Sequence, residues 1–94
     1  MSYVPKNIGY QEALLNATTD LNAAKSIDPT ISGDDYRDQL YHLKMARNYA
    51  SAGLKDTTAP EEVVSDLQRI LNQSGEIQRS TIGKIREMVV GVLA

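Results

Sequence analysis

The chain has 94 residues, 41% of them hydrophobic and 23% charged, with 10 Lys plus Arg against 12 Asp plus Glu, a net charge of −2 and no Cys. That length holds one hydrophobic core and not two. The slight acidity speaks against a nucleic-acid binder, which needs a basic excess or stripe, and the lack of Cys removes disulfides, thiolate metal sites and Cys nucleophiles.

The chain starts Met1-Ser2-Tyr3-Val4-Pro5-Lys6-Asn7. This stretch has no apolar region of the signal-peptide kind, and its Pro5 and lack of apolar spacing read as a loose arm. The most apolar run is Met88-Val89-Val90-Gly91-Val92-Leu93-Ala94, far short of the roughly 20 residues a membrane span needs. A single cytoplasmic domain over residues 1–94 is the expectation.

Three breaks divide the rest. Asp28-Pro29 is the first, because the residue before proline is pushed out of helical geometry. Gly53 to Pro60 is the second and Ser74-Gly75 the third. Four segments remain, and helical spacing fits each. From about Ile8 to Ser26, Leu14, Ala17, Leu21 and Ala24 recur at steps of three and four, as on one helix face, with Leu15 widening it. From about Asp34 to Ala52, Ser32 is the expected N-cap, with Asp35 three residues on in a near-relative of the capping box. Asp34 and Asp35 sit where the helix dipole favours negative charge, and Gly53 reads as the stop. From about Pro60 to Gln73, Thr58 and Glu61 have capping-box spacing, and Val63, Leu67, Ile70 and Leu71 line one face. From about Ser80 to Leu93, Ile82, Ile85, Val89 and Val92 step by three, four and three. Gly83 and Gly91 each weaken that helix by about 1 kcal/mol relative to Ala. Four amphipathic helices with short connections predict an all-α fold, an antiparallel four-helix bundle.

The second segment is unusual in having two apolar sides. Tyr36, Leu40, Leu43, Ala50 and Leu54 fall on one, and Tyr41, Met45, Tyr49 and Ala52 roughly opposite. Either this helix is central, with neighbours on both sides, or Tyr41, His42, Met45 and Tyr49 form an exposed partner-binding patch. Tyr suits interfaces because it joins a large apolar body to a polar tip, and Met adapts to irregular surfaces. His42, the only imidazole, would need a nucleophile and an orienting acid to act as a base. Asp38 has the right spacing, but so has any surface i, i+4 pair. Arg47 falls on the core side, where it either snorkels outward or meets an acid. Asp34, Asp35, Glu61 and Glu62 all belong to helix first turns, which leaves little case for a paired-carboxylate site. No cofactor or metal motif is present. Arg79, Lys84 and Arg86 against Glu76 and Glu87 give the last segment a mild positive bias, which leaves contact with anionic lipid or an acidic partner open.

The order of segments resembles the immunity proteins of class IIa (pediocin-like) bacteriocins, which are short, disulfide-free four-helix bundles. The resemblance covers Gln11 to Val92. A broken linker precedes the longer segment Asp34 to Ala52, and Asp56-Thr57-Thr58-Ala59-Pro60 leads to Glu61-Glu62-Val63-Val64-Ser65-Asp66-Leu67. After a turn comes Ser80-Thr81-Ile82-Gly83-Lys84-Ile85-Arg86-Glu87. Two departures are the acidic pI near 5.2 and the lack of a tail beyond the last helix. The resemblance implies a non-enzymatic role: protecting the producing cell by associating with a membrane sugar-transport receptor once bacteriocin has engaged it. The alternative is a small phage or mobile-element protein that binds, inhibits or assembles with another protein. Either way the expectation is an interaction protein without catalysis, cofactor or nucleic-acid partner, as a monomer or homodimer.

Overall fold

The computed structural model describes residues 8–93, with side chains through Val92. The arm expected at residues 1–7 lies outside them. The described residues form three helices and no strand: α1 Tyr10–Lys25, α2 Gly33–Leu54 and α3 Glu61–Leu93. The all-α expectation holds. The four-helix bundle does not, because the third and fourth predicted segments are one continuous helix of 33 residues.

The reason lies at Ser74-Gly75. A glycine ends a helix by turning left-handed, and no glycine among the described residues has positive φ. Ser74 is fully buried, and its hydroxyl donates to the Leu71 carbonyl at 2.9 Å. Val63, Leu67, Ile70, Ser74, Ile77 and Thr81 step by four and three without a break. One face of α3 therefore stays on the core straight through the pair. Keeping that face continuous outweighs a glycine penalty of about 1 kcal/mol.

The other boundaries follow local chemistry. α1 ends just before Asp28-Pro29, as the proline requires. Ser32 caps α2: its Oγ accepts from the Asp35 amide at 3.1 Å and donates to the Asp35 carboxylate at 2.9 Å. Thr58 does not cap α3. Its amide and hydroxyl donate instead to Asp56 Oδ1, at 2.9 and 2.6 Å. The other Asp56 oxygen accepts from the Tyr10 amide at 3.0 Å. This one side chain, in the α2–α3 loop, therefore caps the start of α1, whose own N-cap Gly9 has no side chain to do so.

The core consists of Ala17, Leu21 and Ala24 of α1, Leu43, Ala46 and Ala50 of α2, and Leu67 and Ile70 of α3. Gly53 does not stop α2, which runs one residue further. It lies where all three helices meet: a Cβ there would stand 2.8 Å from the Ala13 Cβ and 2.9 Å from Leu67 Cδ1. Small residues at the α1–α2 crossing let the backbones approach. Leu15, expected on the core face, is 67% exposed, because α2 covers the Ala13–Ala17 side instead.

Gln39 locks the far end. Its Nε2 donates to the Ala24 and Ile27 carbonyls, at 3.2 and 3.3 Å, satisfying the end of α1. Its Oε1 accepts from the Thr81 hydroxyl at 2.6 Å. Gln39 and Thr81 are both buried, and a buried polar group must be paired in this way. The contact also sets levels. Gln39 lies beside Ala24 and Thr81, and Gly53 beside Leu67. By helical rise, α1 therefore ends level with about residue 82 of α3, and α2 begins level with about residue 87. The last turns of α3 project past both. The radius of gyration is 15.0 Å and the extents are 54 × 25 × 18 Å, whereas a compact domain of this length would have a radius near 12 Å.

Candidate functional site

The four residues singled out on α2 do not share one open face. Met45 is 6% exposed. Tyr49 is half-buried and packs against the core cluster. His42 is half-buried, its Nδ1 2.9 Å from Asp20 Oδ1 on α1. Only Tyr41 is exposed, at 49%, with its ring edge-on to that of His42 at 5.3 Å. The second apolar side of α2 is thus turned largely toward α1. The first side faces α3, toward which Arg47 also reaches: its Nη1 donates to Gln78 Oε1 at 2.7 Å. The acid beside His42 is Asp20, 22 positions away in sequence, and not Asp38. That pair ties α1 to α2.

Two grooves flank the projecting end. The larger, of about 600 Å³, is lined by Lys25, Asp28, Gln39, Glu76, Thr81 and Lys84, among others. Its lining holds two cations and two acids, and the buried amide of Gln39 and hydroxyl of Thr81 are bonded to each other. The smaller, of about 300 Å³, lies between the α1–α2 loop and α3 and is lined by Pro29, Thr30, Gly33, Tyr36, Ile85 and Met88. Among the described residues, no three His, Asp or Glu side chains gather to hold a metal ion, and no helix is long and apolar enough to cross a membrane.

The most distinctive surface is the end of α3. Ile85, Met88 and Val92 continue the face that carries Leu67, Ile70, Ser74, Ile77 and Thr81, but they lie where α1 has ended and α2 is ending. Ile82, Met88, Val89 and Val92 are exposed, Val92 at 85%. Spacing marked Ile82, Ile85, Val89 and Val92 as apolar in the sequence but assigned them to the core, because periodicity does not reveal where a neighbouring helix stops. Compared with models of known protein families, with curated proteins and with solved structures, the chain matches none.

Proposed function

We propose that this protein works by binding another protein chain rather than by catalysis, and that the projecting end of α3 is its binding surface. The observation that carries this reading is the apolar strip Ile82, Ile85, Met88, Val89 and Val92. A core face continued past the core exposes contiguous apolar surface, and such patches mark interaction sites. Tyr41, exposed on α2, is a secondary candidate from the patch expected there. The immunity role expected from the order of segments relied on separate third and fourth helices. The structure joins these, so the segment order lends that narrower role less support than the binding reading has from the strip.

The test is site-specific photo-crosslinking in the producing cell. A crosslinker in place of Val89 should give discrete protein adducts, and one in place of Gln68, exposed on the packed half of α3, should not. Equal labelling from both positions, or none from position 89, would count against the reading.

A further inference from the structure

We infer that the end of α3 is covered by the same segment of a second copy of this chain, paired antiparallel about a two-fold axis. This rests on the interaction reading above and names the occupant of its surface. Three observations lead to it.

The first is the strip's own need for cover. The last three turns of α3 carry Gly83 and Gly91, each a weak helix former by about 1 kcal/mol against Ala, so this end of the helix gains from packing. The strip continues a face that, one turn earlier, is fully engaged in the core. Through the body the cross-section holds three helices; at the projecting end only α3 and the first turn of α2 remain. A second α3 restores the third.

The second is self-complementarity. A two-fold axis between Met88 and Val89 sets Ile85 against Val92 of the second copy and Met88 against its Val89, and the reverse. Every layer is apolar. Arg86 then lies level with Gly91 of the second copy and Lys84 with its Leu93, so no like charges are level. The bodies lie toward the N-terminal end of each α3, so antiparallel pairing sends them to opposite ends, with the two α2 starts about 5 Å apart along the axis.

The third is that each copy carries both parts of a lock. Val92, the most exposed large apolar side chain among the described residues, falls level with Ile85 of the other copy. Ile85 lines the groove of about 300 Å³ that also includes Pro29, Tyr36 and Met88. Val92 is the knob and this groove is the hole. One patch that supplies both is what an isologous two-fold interface requires. Four side chains from each copy make a small contact, at or below the roughly 1,000 Å² that marks specific interfaces. The dimer is therefore expected to be concentration-dependent, with a Kd in the micromolar range or weaker.

Sedimentation equilibrium of the purified chain from micromolar to millimolar concentration is the primary test. The expected result is a monomer–dimer equilibrium that the double variant Val89→Asp, Val92→Asp weakens at least tenfold. Both side chains are exposed in the monomer, and circular dichroism checks that α1, α2 and the packed half of α3 stay folded. Because the chain has no Cys, a single Asn72→Cys substitution takes a nitroxide spin label. In the antiparallel dimer the two labels lie roughly 50 Å apart along the axis by helical rise; a parallel dimer brings them side by side. A monomer at every concentration, a dimer indifferent to the double variant, or a short Asn72→Cys label distance would each overturn the inference. So would a monomer that co-sediments with phosphatidylglycerol vesicles through Val89 and Val92, since the strip would then meet lipid. A monomeric result leaves the cellular crosslinking from position 89 unaffected, so the two readings fail separately.

Discussion

Met45 and Tyr41 are four residues apart on α2 and have different surroundings. Met45 is buried and Tyr41 is half exposed. Met45→Ala should therefore cost about 2–4 kcal/mol, the range for emptying a core site, and Tyr41→Ala should stay within about 0.5 kcal/mol, as for a surface change. Urea denaturation midpoints would show it; equal effects would mean that the two share one environment. Asp56 is a second residue with consequences beyond its size. Hydrogen bonds from the Thr58 hydroxyl, the Thr58 amide and the Tyr10 amide hold its carboxyl below the ordinary value of 3.8. Because its folded pKa is lowered, the stability it contributes is complete above that ordinary value and is lost as pH falls through the lowered one. Asp56→Asn should lower the melting temperature at neutral pH and flatten its decline on acidification below about pH 4. An unchanged acid limb would exclude Asp56 as a contributor.

At the scale of elements, two glycines of similar sequence appearance behave oppositely. Gly53 sits in a three-helix crossing with no room for a Cβ, whereas Gly83 has nothing within 4 Å of one. Gly83→Ala should stabilise by about 0.5–1 kcal/mol through helix propensity alone. Gly53→Ala gains the same propensity but must move the buried Ala13 backbone, and should lose about 1–2 kcal/mol net. Thermal melts of the two variants should shift in opposite directions. The same distinction explains what was legible in the sequence. Ser32 as a cap and Asp28-Pro29 as a break act through their nearest neighbours, and both were readable. Gly53 and Gly75 were read as stops because a glycine's local preference is a stop. What keeps both helical is packing by residues far away in sequence. The Asp56 cap on Tyr10 and the Asp20–His42 pair each join separate elements, so no short-range signal pointed to either.

At the scale of the whole molecule, α3 is the organising element. It is about twice the length of α1, and helical rise turns that difference into a projection of about three turns beyond the end of α1. Much of this asymmetry follows from the single Ser74-Gly75 decision: with a turn there, the last segment would fold back and bury Ile82, Ile85, Val89 and Val92 as the expected fourth helix. With the helix continued, the same residues become surface, and the surface defines both the proposed binding face and the inferred dimer. The second apolar side of α2 runs the other way. It was a candidate surface in the sequence and is mostly interior in the fold. Composition and periodicity by themselves determined the helical class, the lack of cysteine chemistry and which residues are apolar on which face of each helix, because these depend on identity and on spacing within a few turns. Only the tertiary structure decided which of those faces are covered, because cover depends on where a neighbouring helix begins and ends, and no spacing within one helix records that.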